Sequence, residues 1–175
     1  MNAIKHFITV TKHRHQVFIH AVKAGIPFRG LLHDLSKYSP TEFIAGIKFY
    51  KGTRSPNDGE RAKYGYSQAW MHHKGRNRHH FEYWTDYVPG EIKVLKPVKM
   101  PLVFLKEMFC DRVAASKIYN KDKYTDADSY NYYMRGKDNR LIHPETAAML
   151  EKLLTMLKDE GEEKTFKYIK SLKEY

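Results

Sequence analysis

His33 and Asp34 are adjacent, between Leu31-Leu32 and Leu35, and such a pair can aim an imidazole nitrogen and a carboxylate oxygen at one divalent ion. This mixed donor set suits Mn, Fe, Ni, Zn or Mg, whereas a plain His–Asp hydrogen bond on a helix is the ordinary alternative. Asp111 adds weight to the metal reading. It stands in line with Met108, Ala115 and Ile118 on one face of an apolar segment, and a buried ionised carboxylate is costly unless it is paired or coordinated. A salt bridge to Arg14, Arg29 or another base from a neighbouring helix would serve it equally well. His13, one turn before Val17, is a candidate fourth ligand. However, His6, His13 and His20 recur every seventh residue, so a helix face of core or half-exposed histidines competes with that role.

Residues 72–80, HHKGRNRHH, form the second cluster. Two His-His pairs separated by a glycine-containing turn can fold back so that one member of each faces a common point. The spacing leaves open which member. His73 and His80 are taken as candidate metal ligands, and His72 and His79 as candidate proton carriers, since imidazole titrates near neutral pH. Lys37, three residues past Asp34, can reach a substrate phosphate as a point charge, and Lys74, Arg76 and Arg78 are candidate substrate-binding cations; solvent exposure is the everyday explanation for each. Tyr119, Tyr124, Tyr130, Tyr132 and Tyr133 are expected in packing contacts rather than in stacking a base. Cys110 reads as a small buried side chain, not a nucleophile.

The elements that must position these residues are helical nearly throughout. Asn2 to Ala24 predicts a first helix buried through Ile4, Phe7, Ile8, Val10, Val17, Phe18 and Ala21 and ended by Gly25. A short segment from Pro27 carries the His-Asp pair. A third helix starts at Ser39-Pro40-Thr41-Glu42, read as a capping box, and runs to about Lys51. Residues 52–65 carry three Gly, a Pro and an Asn-Asp pair and predict a loop. A short helix over Ser67–Lys74 follows, while GRNRHHFEYW has no evident conformation. Val88–Pro101, with Ile92, Val94 and Val98 alternating, predicts an extended piece or a hairpin around Pro89-Gly90. Helices then follow from Pro101 to Tyr119, from Pro144 to Asp159 and from Glu162 to Lys173, with a Tyr-rich piece at 126–136.

Composition bounds the reading. The chain has 175 residues, 42% hydrophobic and 14% aromatic, enough for one domain with a core, which excludes a disordered basic tail. The single cysteine excludes an intramolecular disulfide and a Cys-rich zinc module, so any metal is held by nitrogen and oxygen. No apolar run approaches the ~20 residues of a membrane span, and the first fifteen residues lack a signal peptide's apolar stretch. A soluble cytoplasmic protein without a membrane partner is therefore expected. The net charge is +11, and nine of the ten histidines fall in the first 80 residues. Residues 1–110 carry 18 Lys/Arg against 8 Asp/Glu, a balance of 18 − 8 = +10, so the basic surplus lies with the histidines. It fits an anionic small-molecule substrate and, nearly as well, nucleic acid.

In these residues the chain resembles the HD-domain superfamily of metal-dependent phosphohydrolases. That pattern, a His on a first helix, a later His-Asp pair and a distant Asp, is matched by His13, by His33-Asp34 within HDLSK and by Asp111 within FCDRVAAS; Ser36 replaces the glycine of the HD-x-G-K version. More closely, the segments TKHRHQVF, LLHDLSKYSPTEF, AWMHHKGRNRHHFEYW, KMP, CDRVAAS and IHPET resemble a domain-of-unknown-function family of bacteria and phages at the margin of that superfamily. The resemblance implies an all-α, HD-domain-like helical bundle with the ligands converging between helices. The whole chain, 1–175, would form one domain with a motif core at 11–119 and the C-terminal helices 126–175 packed on it. It implies a divalent cofactor of one or two ions, because some branches add histidines that bind a second metal or the substrate.

Three functions follow as expectations. The first is a metal-dependent phosphohydrolase acting on a nucleotide or phosphomonoester. The second is a di-iron oxygenase, a minority activity of the same superfamily. The third is a basic nucleic-acid-binding protein with a structural metal site, although no recognised DNA- or RNA-binding motif is present. Oligomeric state is open.

Overall fold

The computed structural model describes residues 2–90 and 94–175. Among them the chain forms helices α1 (Asn2–Lys23), α2 (Pro27–Leu32), α3 (Pro40–Phe49), α4 (Pro56–Tyr64), α5 (Gln68–Lys74), α6 (Leu102–Asn120), α7 (Asp128–Met134) and α8 (Pro144–Ser171). The architecture is all-α, a helical bundle with one two-stranded antiparallel ribbon, β1 (Thr85–Tyr87) and β2 (Leu95–Pro97), in which Asp86 faces Lys96. The strands flank the expected Pro89-Gly90 turn, while Ile92 lies outside the described residues.

Helix boundaries follow local chemistry. Gly25 ends α1 at φ +78, a left-handed conformation that costs glycine nothing. Ser67 caps α5, its Oγ accepting from Trp70 N–H at 3.0 Å. Residues 52–65 are not all loop, since Ser55 caps α4 and Pro56 occupies its first turn; the Gly and Asn-Asp content that suggested a loop is carried inside and around the helix. The helix predicted to reach Lys51 stops at Phe49. The two C-terminal helices run as one stretch, interrupted where Gly161 takes φ 82, ψ 173.

Helix α6 is the central element. Its Leu105, Met108, Phe109, Cys110, Val113 and Ala114 are buried against Val17 and Ala24, Tyr133 of α7, and Leu150, Leu153, Leu154, Leu157, Phe166 and Ile169 of α8. Each large apolar side chain so buried contributes about 1.5–3 kcal/mol. Tyr133 thus belongs to the core, with Tyr124 and Tyr130 packed against it. On α1 the buried face differs from the apolar one. His6, Val10, His13, Val17, His20 and Ala21 point inward, whereas Ile4, Phe7 and Ile8 are exposed. The histidine heptad, not the isoleucines, faces the core.

Candidate metal centre

Helix α2 reaches the site because Gly30 allows it: a Cβ there would lie 2.4 Å from Ala21 Cβ. Close packing on α1 sets the following residues beside His13. Helix α2 ends before His33, and Asp34 adopts a left-handed conformation, φ 52 and ψ 28, opening a 3₁₀ turn over Leu35–Tyr38. The short segment from Pro27 is therefore two turns of different kind that meet at the His-Asp pair. Arg14 fixes this turn by donating to the carbonyls of His33 (2.7 Å) and Leu31 (2.9 Å).

The carboxylate of Asp34 is the hub. Its Oδ2 lies 3.3 Å from His33 Nε2 and 3.9 Å from His13 Nε2, while Asp111 Oδ1 is 3.0 Å from His13 Nε2 and 3.5 Å from His33 Nε2. On the other side, Asp34 Oδ1 lies 3.3 Å from His73 Nε2 and 3.5 Å from His79 Nε2. Two four-residue donor sets result, His13–His33–Asp34–Asp111 and Asp34–His73–His79–His80, and a smaller third group, His33–His79–Glu107, shares one histidine with each; the donor atoms of each lie within 4.8 Å of one another.

The cluster is buried and short of partners. His13 Nε2, His33 Nε2, both Asp34 oxygens, both His79 nitrogens and His80 Nε2 are inaccessible to solvent and make no well-formed hydrogen bond. Buried polar atoms are normally satisfied, so their concentration at one point, with the Lys37 ammonium close to Asp34, makes a group that could hold a metal ion.

Two carboxylates aim the imidazoles from behind. Glu107, on α6 one turn before Asp111, accepts from His33 Nδ1 at 3.1 Å and lies 3.3 Å from His79 Nδ1, so it touches one histidine of each set. Arg29 anchors it through Nε at 2.8 Å, with its side chain over Phe104. Glu42 accepts from His73 Nδ1 and His72 Nδ1, both at 2.7 Å. A carboxylate on the far nitrogen fixes the tautomer and leaves Nε2 free to ligate. Asn77 ties the two segments together, donating to Ser36 Oγ and to the His73 carbonyl, both at 2.8 Å.

Electrostatics keep the acids ionised. Burial works to raise the Asp34 and Asp111 pKa values, yet His33, Lys37 and His73 around Asp34, and His13 and His33 around Asp111, hold both well below the carboxylate range. Glu107 is brought down to about 2 against its own burial by His33 and His79. Burial lowers His13 and His80, leaving them neutral as ligation requires. Burial opposes the His33 cation too, but Asp34, Asp111 and Glu107 outweigh it and raise that ring well above its usual value.

The remaining sequence candidates fall as follows. Lys37 places Nζ 2.6 Å from Asp34 Oδ2, a cation on the hub. His79, expected as a proton carrier, stands in the second donor set together with His73 and His80. His72 lies outside both sets on Glu42. Arg76 folds onto the His72 carbonyl at 3.3 Å, Arg78 lies over Tyr83, and neither they nor Lys74 touch the cluster among the described residues. Arg29 is engaged by Glu107 and Arg14 by backbone carbonyls, and the base from a neighbouring helix that meets Asp111 is His13, at 3.0 Å. Cys110 is buried and its thiol pKa is pushed well up by burial, with Glu107 and Asp111 adding to it.

Two functional carboxylates escaped the sequence reading. Glu42 was assigned to a capping box, but it serves His72 and His73 while Ser39 makes no cap bond. Glu107 was not considered. Its signal was a lone acid in an apolar helix, one turn before Asp111.

Fold and site together define an all-α protein whose buried His/Asp/Glu groups are suited to holding metal. Over residues 2–156 the chain matches the family described as a family of unknown function, DUF5662, and it belongs to that family. No curated protein and no solved structure matches it.

Proposed function

We propose that the protein is a metal-dependent phosphohydrolase acting on a phosphate-bearing small molecule, a nucleotide or a phosphomonoester. The observation that carries this reading is the Asp34 carboxylate, set between two unsatisfied donor sets so that one oxygen faces each. These residues would hold one or two divalent ions, with Asp34 common to both sets. In further support, the residues that carry the resemblance to HD-domain phosphohydrolases, His13, His33, Asp34 and Asp111, meet at one point. Divalent ions held there would polarise a phosphoryl oxygen and lower the pKa of water. Lys37, with its ammonium on Asp34 and its side chain partly exposed, supplies a positive charge for the phosphate at the same spot. His72, partly exposed and oriented by Glu42, remains available to carry a proton. The basic surplus of residues 1–110 favours approach of an anion.

A second reading, a di-iron oxygenase, is favoured by the nitrogen-rich set of His73, His79 and His80. Metal analysis and a nucleotide and phosphomonoester hydrolysis panel, run on the wild type and Asp34→Asn, test both. The expected result is two metal equivalents and anaerobic hydrolysis with Mn or Mg. Asp34→Asn should lower metal affinity and turnover by more than about a hundredfold, exceeding the loss typical of an outer partner. Turnover that requires iron and oxygen would move the assignment to the second reading. A wild type that binds no divalent metal on reconstitution would defeat both.

A further inference from the structure

The N-terminal helices turn an apolar surface outward that neither the core nor the metal cluster uses. With about 100° between successive residues, Ile4, Ile8, Ile19 and Val22 share the side of α1 opposite His6, Val10, His13, Val17 and His20. All four are exposed, Ile4 at 69%. The row spans about 27 Å at 1.5 Å per residue, with Ile4 and Ile8 at one end, Ile19 and Val22 at the other and the exposed Thr11 and His15 between them. Lys5 and Lys12 stand along one edge of it, and Lys23 at the end of that edge is paired with Glu162 at 2.6 Å. Helix α2 packs on α1 through Gly30, and on the side away from Gly30 it presents Phe28, 81% exposed, with Leu31 (58%) and Leu32 (57%); Leu35 follows, also exposed. Residues 1–33 contain five Lys/Arg and no Asp or Glu.

Charge and apolar character decide what covers such a face. In a two-fold antiparallel pairing of α1 with a second copy, like edges meet, so the lysine edge would oppose itself with no acid on either helix to offset it. An apolar row edged by lysines asks for a partner that is apolar inside and negative at its surface. A flat, negatively charged, apolar-cored surface meets both requirements: the isoleucines, Phe28 and the leucines enter the acyl boundary while the lysines reach the headgroups.

We propose that the α1–α2 face binds the surface of an anionic lipid bilayer, which makes the protein a peripheral membrane binder. No helix among the described residues is long and apolar enough to cross a membrane. The sequence expectation of no membrane partner rested on that criterion, which does not bear on surface binding. The proposal is independent of the metal reading, since these side chains lie outside both donor sets.

Flotation of the full chain with phosphatidylcholine vesicles and with mixed phosphatidylcholine–phosphatidylglycerol vesicles, alongside light scattering, tests it. The expected result is a monomer that floats with the mixed vesicles at low salt and stays in solution with phosphatidylcholine alone. Phe28→Ser with Leu31→Ser should cut partition about tenfold, as removal of two inserted side chains requires. Lys5→Ala with Lys12→Ala should cut it about tenfold independently. Because all four side chains are exposed, circular dichroism should match the wild type. Absence of flotation overturns the proposal, as does flotation unaffected by the Phe28/Leu31 variant. A wild-type dimer that the same variant dissolves overturns it in favour of a second copy.

Discussion

His13 and His20 leave the same buried face of α1 one heptad apart, and both come near carboxylates, yet their surroundings are built on opposite principles. His20 is fully satisfied: Nδ1 donates to the Cys110 carbonyl at 3.3 Å, Nε2 lies 2.9 Å from the Gln16 amide, and Glu162 is shared between Lys23 and Lys117. His13 instead faces Asp111 and Asp34 among atoms with no well-formed partners. Burial, histidine and acid are common to both regions, so none of them distinguishes a site from a structural network. Partner accounting does. Around His20 the polar atoms find partners on its own and neighbouring helices, whereas around Asp34, even with Lys37 on one oxygen, several buried nitrogens and oxygens are left without a well-formed hydrogen bond. His6, the third of the heptad, makes a further contrast, packed among Phe43, Tyr50 and the bare face of Gly46.

The contrast can be broken most sharply within the cluster. His13→Ala and His79→Ala each remove a ligand from one set only, so each variant should retain about one of two metal equivalents by elemental analysis after reconstitution. Complete loss in both would merge the two sets into a single site. Next in size is Glu107→Gln, which touches no proposed ion but loosens His33 and His79. Chelator competition should show metal affinity about 10–100-fold weaker, while Glu162→Gln should leave it unchanged. The smallest effect belongs to the satisfied region. Burial, then Lys117, lowers His20 from 6.5 to about 4 despite Glu162. The unfolded chain therefore takes up a proton before the folded one does. The resulting stability is complete above pH 6.5 and drains away as pH falls toward 4. Urea unfolding of the wild type should lose on the order of 2 kcal/mol more than His20→Gln between pH 7 and pH 5. Metal content should be identical in the two, and a His20→Gln variant with less metal would erase the distinction between the regions.

Much of the scaffold was legible because its signals are local. Gly25, Pro40, Ser67 and Pro101 mark boundaries through backbone chemistry that tertiary structure did not overturn, whereas the capping box at Ser39 and Glu42 did not form. Helix α4 was hidden because Gly59 and Asn57-Asp58 read as loop residues while Ser55-Pro56 and Gly65, its true ends, were counted as part of the same loop. The inward face of α1 was misassigned since periodicity assumes that apolar side chains go inside, and here a polar cluster claims that face. His33, Asp34 and Asp111 were visible as residue types whose burial demands a partner. Glu42 and Glu107 were not, because a carboxylate that orients another ligand has no spacing rule of its own; only the fold brings it to the far nitrogen of a histidine.

The left-handed backbone at Asp34 bears on mutational tolerance. A regular helix would send adjacent side chains about 100° apart, whereas the reversal lets His33 and Asp34 close on one point like two jaws. Residues other than glycine, asparagine and aspartate occupy this conformation at a cost of roughly 1–2 kcal/mol. Asparagine and glycine would satisfy the turn but not the charge, and glutamate the charge but not the turn. A substitution matrix scores Asp-to-Glu as mild, yet at this position aspartate alone meets both demands.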